Sequence, residues 1–240
     1  TLMTGSISGS TGLTSLVGSG SGRFRYNSDE TNPNYTTALG AGLNAIYREA
    51  PTLTATLNNA AKTYDGLIYS GGNGLGALTG YVNGDTAALL GSVTYGGAAQ
   101  SAKNVGSYVL SGTVASGAGY LVTLNNATLT VNKADLVLSG TRAYDGSQTF
   151  AGQFLTATGV NNESFALTGS GHSSNLSTKN VQTNQLLASL TGLSLGASNG
   201  TNTALSSNYN AISTTGSSVS VTRKAATVTG TTTQVTYNGN

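Results

Sequence analysis

AKTYDG at residues 61–66, TRAYDG at 141–146 and QVTYNG at 234–239 are three versions of one phrase. From Tyr64 to Tyr144 is 80 residues, and from Tyr144 to Tyr237 is 93. The first two versions carry an acid, Asp65 and Asp145, ahead of Gly66 and Gly146; the third carries Asn238 ahead of Gly239. Asparagine keeps the hydrogen-bonding shape of aspartate and its tolerance of positive φ, and it discards the charge. Asp-Gly and Asn-Gly are both strong signals for a two-residue hairpin with glycine in the left-handed position. The phrase therefore reads as a repeated corner of a fold and not as a centre of acid chemistry.

Other landmarks recur in the same order between these corners. VNGDTAALLG at 82–91 is matched by VNNESFALTG at 160–169, and AKNVGSY at 102–108 by TKNVQTN at 178–184. Each copy closes on an alternating segment and a basic junction, ATLTVNKA at 127–134 and SVSVTRKA at 218–225. Internal repetition of this kind takes precedence over local readings. It divides the chain into residues 51–133 and 134–224, two copies of one module, with the start of a third, truncated copy at 225–240. Residues 1–50 do not fit the repeat, and Pro51 punctuates the boundary.

Alternation with period 2 marks the strands: Leu53, Ala55 and Leu57 face one way and Thr54 and Thr56 the other, and Leu129 with Val131, Val219 with Val221 and Ala226 with Val228 behave alike. Long helical periodicity is absent, and GDTAALLG is either one helical turn capped by Asp85 or Thr86 or a strand edge. The expected class is all-β, in small modules of sandwich or curved-sheet type.

Composition narrows function. Charged residues make up 8% of the 240, against about 25% in an average soluble protein, so hydroxyls, amides and backbone must supply the polar surface. A net charge of +2 from scattered residues offers no basic stripe for nucleic acid. There is no cysteine, and this charge-poor, Ser/Thr/Gly-rich make-up points to an exported protein. No apolar run is long enough to span a membrane as a helix, and the opening TLMTGSISGS has neither the basic nor the apolar stretch of a signal peptide. Thr1 in place of methionine, with an ending just past the third Tyr-x-Gly, gives the expectation of a window from a longer polypeptide.

Chemistry finds little purchase. Calcium wants six to eight oxygens, several from carboxylates, and the eight acids show no Asp-x-Asp spacing; a site shared by Asp65 and Asp85 is the one arrangement worth weighing. Zinc lacks cysteine and has only His172. In GSGHSS that histidine sits in what reads as an exposed glycine-rich loop with no acid to orient it, so no catalytic residue is assigned. Lys103 and Lys179, at equivalent places, read as lysines lying over a sheet edge and not as partners in an isopeptide bond. No metal or cofactor is expected. Tyr69, Tyr81 and Tyr95 are the candidates for an exposed aromatic platform that grips a sugar.

In order, YDG, V-N-x-[DE]-[ST], K-N-V and a closing strand with Lys or Arg before Ala resemble the tandem YDG and MBG-type modules of very large filamentous-haemagglutinin-like, two-partner-secreted bacterial adhesins. GRFRYNSD at 22–29 is similar to the segment that follows the right-handed parallel β-helix shaft in those proteins. The resemblance implies that residues 1–50 are the C-terminal end of that β-helix and a connecting segment, followed by tandem β-sandwich or β-grasp-like modules. It further implies export from a Gram-negative cell through an outer-membrane partner transporter, an extracellular place on the cell surface, and a stalk or spacer role in attachment, aggregation or biofilm formation. Extracellular polysaccharide and neighbouring adhesin copies are the partners it brings into view. The alternative reading is a carbohydrate- or matrix-polymer-binding module using the tyrosines of the first repeat. The departures are KNVQTN in place of KNVGSY and about ten additional residues around GLSLGASNGTNTA in the second copy.

Overall fold

A computed structural model describes residues 1–231 and 233–239. The chain is mostly β-sheet, and it divides into two compact units, Thr1–Lys133 and Ala134–Asn240.

In the first unit, β1 (Leu2–Thr4), a short helix α1 (Gly12–Val17), β2 (Phe24–Arg25) and β3 (Ala45–Tyr47) precede the repeat. The three strands form a parallel sheet in the order β1-β3-β2. They do not stand apart from the first copy of the repeat. Val17, Phe24, Tyr26, Ala45 and Tyr47 share one buried cluster with Leu53, Ala118 and Tyr120. Residues 1–50 are thus packed onto that copy through aromatic rings.

The copy contains β4 (Thr52–Thr56), β5 (Ala60–Thr63), β6 (Thr94–Gly96), β7 (Gly106–Thr113), β8 (Leu121–Asn125) and β9 (Ala127–Asn132). The expected alternation is realised in β4, where Leu53 and Ala55 are buried between exposed threonines, and in β9, where Ala127, Leu129 and Val131 are buried. Pairing over long range then organises the module. β4 runs parallel to β8, and β5 parallel to β9, while β7 and β6 continue the second sheet in antiparallel fashion.

The second unit gathers β10 (Val137–Ala143), β11 (Leu155–Thr158), β12 (Ser164–Thr168), β13 (Gln182–Gln185), β14 (Ser194–Ser198) and β15 (Ser218–Thr222) into one sheet, in the order β13-β15-β10-β11-β12-β14. Again the opening strand β10 is parallel to the closing strand β15. Leu138, Phe150, Ala157, Phe165, Tyr209, Val219 and Val221 form its buried side.

Two expectations are revised. The Asp-Gly corners do not join two-residue hairpins: the antiparallel neighbour of β10 begins only at Leu155, and β5 pairs with β9 alone. The alternation at Ala226 and Val228 does not become a strand, because residues 225–231 and 233–239 have no sheet partner and lie exposed. A strand without a neighbour leaves its backbone groups to water and gains no burial. Thr232 and Asn240 of the expected third copy fall outside the described residues.

Candidate functional site

Each repeat is closed by a buried carboxylate held by a tyrosine. V-N-x-[DE] is a four-residue turn in both copies: the amide of Asp85 donates to the Val82 carbonyl at 3.0 Å, and that of Glu163 to the Val160 carbonyl at 2.9 Å. Its central residues all have positive φ, 53° and 75° at Asn83 and Gly84 and 50° and 58° at Asn161 and Asn162. That is the mirror-image turn which asparagine and glycine favour. The turn delivers its last residue inward. Tyr120 Oη donates to Asp85 Oδ2 at 2.8 Å and accepts the Val82 amide at 3.2 Å; Tyr209 Oη donates to Glu163 Oε2 at 2.7 Å and accepts the Val160 amide at 3.1 Å. Asp85 is 7% exposed and Glu163 0%.

The first clasp has an extra arm. Tyr26, from GRFRYNSD, also donates to Asp85 Oδ2, at 2.7 Å, and accepts from Asn83 Nδ2 at 3.1 Å; Asn83 in turn accepts from Thr14 Oγ1 at 2.6 Å. The ring of Tyr26 stacks on Tyr47 at 5.6 Å and leans on Tyr120 at 4.6 Å. Gly119, at φ 96°, lets the chain pass here: a Cβ would lie 2.2 Å from the Tyr26 carbonyl oxygen. Beside it Arg25, 1% exposed, donates Nε to Thr37 O, Nη1 to Gly22 O and Phe24 O, and Nη2 to Ala38 O, at 2.7–3.0 Å. One guanidinium fork thereby fixes two loops that have no sheet to hold them.

Burial pushes the Asp85 carboxyl above its ordinary value, against the Tyr26 and Tyr120 hydroxyls and the Arg25 charge, which draw it down. Burial first, and the carboxylate second, push the Tyr26 hydroxyl up, and burial does the same for Tyr120, so both stay donors. A carboxyl raised in the folded state holds its proton more tightly than in the unfolded chain. Its stabilising contribution is complete below the ordinary carboxyl value of 3.8 and is lost as pH rises from there through the folded value. The first unit should therefore lose stability across that interval, and Asp85→Asn should flatten the slope; thermal unfolding as a function of pH checks it. Asp29, whose carboxyl the Thr31 amide holds low, has the opposite sign and matters only as pH falls below 3.8.

At the YDG corners the acid closes a local ring. Asp65 Oδ1 accepts the Leu67 amide at 2.9 Å and Lys62 Nζ at 2.6 Å; Asp145 Oδ1 accepts the Ser147 amide at 2.9 Å and Arg142 Nη1 at 2.6 Å. A side chain bonding the amide two residues on is an Asx-turn, which needs no returning strand. Gly66 and Gly146 have φ of 75° and 82°. The basic partner two residues before the tyrosine becomes Val235 in the third copy, where the acid becomes Asn238; charge and counter-charge disappear together. Tyr237 is 88% exposed.

The two acids are not equivalent. Lys62 is partly exposed, whereas the Arg142 side chain is 2% exposed and lies over Phe150. Asp65→Asn should change stability by less than about 0.5 kcal/mol, and Asp145→Asn should cost roughly 1–2 kcal/mol by leaving a buried cation without its counter-charge, discounted because Asp145 faces water. Gly66→Val, forcing a β-branched residue to positive φ, should cost about 2 kcal/mol or more. Denaturant unfolding of the three variants ranks them.

Tyr64 is 2% exposed. Tyr144 is only half-buried and lines an open hollow of about 330 Å³ with Asn180, Val181, Arg223 and Lys224.

The proposed platform is not assembled from three rings. Tyr81 packs edge-on against Tyr120 at 6.1 Å with its hydroxyl buried. Tyr95 lies against Gly72, and its hydroxyl accepts the Gly74 amide at 2.8 Å. Tyr69, half-buried, is anchored by its amide on the Ala102 carbonyl at 2.8 Å. Asp85 caps no helix: Thr86 Oγ1 accepts the Ala88 amide at 3.4 Å ahead of a turn at Ala87–Leu89. Nor do Asp65 and Asp85 share a cation site, since one closes an Asx-turn and the other a tyrosine clasp. Among the described residues no three His, Cys, Asp or Glu side chains form a metal-binding group.

His172 pairs with Ser174 through Nδ1 at 3.0 Å, and Ser174 with Ser189 at 2.7 Å, in an exposed chain with no acid among those contacts. Beside it Asn175, 0% exposed, holds the loop: Oδ1 accepts the amides of Phe150 and His172, and Nδ2 donates to the carbonyls of Ser189 and Thr191. Gln100 does the same in the first copy, gripping both backbone groups of Gly71 at 2.8 Å. The recurring landmarks stop short of these amides, because nothing in the few residues around either one distinguishes an amide that grips distant backbone from a solvated one. No family model matches the chain, and comparison with curated proteins and with solved structures returns none similar to it.

Proposed function

We propose that this chain is a non-enzymatic stalk or spacer segment of a large adhesin exported to the surface of a Gram-negative cell, with residues 1–50 as the end of a right-handed β-helix shaft and the repeats as sandwich or β-grasp-like modules. The observation that carries the reading is the twice-used framework: parallel opening and closing strands, an Asx corner, and a buried acid–tyrosine clasp. The ionisable groups of its clasps and corners are spent on folding. Asp85 and Glu163 face tyrosines, Asp65 and Asp145 face their own basic neighbours, and Arg25 faces carbonyls. The additional Tyr26 arm on the first clasp suits a joint between a shaft and its first spacer. Passage through an outer-membrane transporter, and contact with polysaccharide or neighbouring copies, belong to the same proposal.

The sugar-platform alternative loses support from Tyr81, which is committed to the core. Antibodies against the 240-residue chain should label intact source cells, and in-frame removal of the segment should lower attachment or aggregation. Turnover of any substrate by the purified chain, or absence of the protein from the surface, would overturn the proposal.

A further inference from the structure

We infer that each repeat is a tension-bearing clamp whose opening and closing strands are loaded in shear. The spacer reading supplies the occasion for tension, but the clamp is a property of this chain alone. In the second unit the chain enters at Ala134, passes into β10, and leaves from Thr222 at the end of β15. These two strands are parallel and directly bonded, in register from Ser139 opposite Ser218 to Ala143 opposite Thr222. One further bond closes the exit end of the ladder, and a separate parallel bridge to residues 208–210 holds the entry. The Tyr144 amide donates to the Thr222 carbonyl at 2.8 Å; at the entry, the Ala134 amide donates to Asn208 O at 3.1 Å, and the Asn210 amide to Ala134 O at 2.8 Å.

In a parallel pair the start of one strand and the end of the other lie at opposite ends of the ladder. Tension entering at Ala134 and leaving at Thr222 therefore draws β10 and β15 lengthwise past each other, and the registered bonds carry the load together. Were the pair antiparallel, entry and exit would lie at one end, and the ladder would open one bond at a time. The loaded pair is also internal to its sheet, flanked by β13 and β11, with Leu138, Val219 and Val221 buried beneath it. The first unit repeats the arrangement. Five registered pairs between β4 and β8 are followed by four between β5 and β9, all parallel, and the Tyr64 amide closes the exit on Asn132 O at 2.8 Å.

Geometry sets the expected size of the effect. Peeling lengthens the chain by about 6.6 Å for each pair freed, twice the rise of a strand residue, and breaks about one bond at a time. Shear must break the whole ladder within roughly 3 Å, about one hydrogen-bond length, so a several-fold higher force is needed.

Because the chain has no cysteine, two introduced thiols define where force is applied. In the 240-residue protein, Lys133→Cys with Ala225→Cys loads β10 against β15 in shear. Lys133→Cys with Thr215→Cys pulls from the starts of both strands and peels them. All three positions are exposed, and unchanged melting of both variants serves as the folding control. Single-molecule stretching should give an unfolding force at least about three-fold higher for the first pair than for the second, as expected when a ladder of registered bonds yields at once instead of in sequence. Equal forces, or a lower force in the first geometry, would overturn the clamp and leave the spacer reading standing. Loss of the surface location would do the reverse.

Discussion

Asn175→Ala should destabilise the second unit by about 3–5 kcal/mol, because it takes away the shared partner of four backbone groups gathered around one fully buried side chain. The side chain is 0% exposed and spends every donor and acceptor, on the amides of Phe150 and His172 and the carbonyls of Ser189 and Thr191. It thus joins the start of the long connection after β10 to the two loops around residues 172 and 190. Asn175→Asp should be no milder, since it replaces a donor that faces two carbonyls by a lone-pair-bearing oxygen. Native-state hydrogen exchange is the suitable measurement, because it reports β11, β12 and β14 separately from the first unit. Protection within about 0.5 kcal/mol of the parent would mean that the loops are held by something else.

Arg25→Met should cost the first unit a similar amount, about 3–5 kcal/mol, through the four carbonyls of Gly22, Phe24, Thr37 and Ala38 that it orphans. Methionine fills the volume and supplies no donor. Arg25→Lys should recover little, since one ammonium on a flexible stem cannot address carbonyls arranged around a planar fork. The substitution also reaches the clasp. Arg25 is the positive charge that draws the Asp85 carboxyl down, so its removal should steepen the loss of stability with rising pH, and combining it with Asp85→Asn should cost less than the sum of the two. Chemical denaturation at pH 4 and pH 7 separates these effects. Additive costs at both values would show that Arg25 acts only through the loops.

The YDG phrase was legible as a corner from its third copy alone. Swapping Asp for Asn keeps an acceptor in place, and that acceptor is what bonds the Leu67 and Ser147 amides. What the phrase could not reveal was the kind of corner. Asp-Gly is common to hairpins and Asx-turns, and the choice depends on whether a strand returns alongside. Lys62 and Arg142 occupy the same place in the phrase, yet one is partly in water and the other buried over Phe150, a difference set by residues far along the chain.

The order of residues by itself determined the two copies and the module boundary near residues 133 and 134, through landmarks that recur in sequence, together with the alternating strands and the asparagine-rich turn of V-N-x-[DE]. The strands and the turn depend on neighbours within a few residues, where side-chain period and backbone preference act directly. Only the tertiary structure decided that the opening strand lies parallel to the closing one some 70–80 residues later, and that Asp85 and Glu163 turn inward to tyrosines. A parallel partner leaves no turn signal between the strands, and an acid is driven inward only when distant groups, here tyrosine hydroxyls and for Asp85 also the Arg25 charge, replace the water it loses.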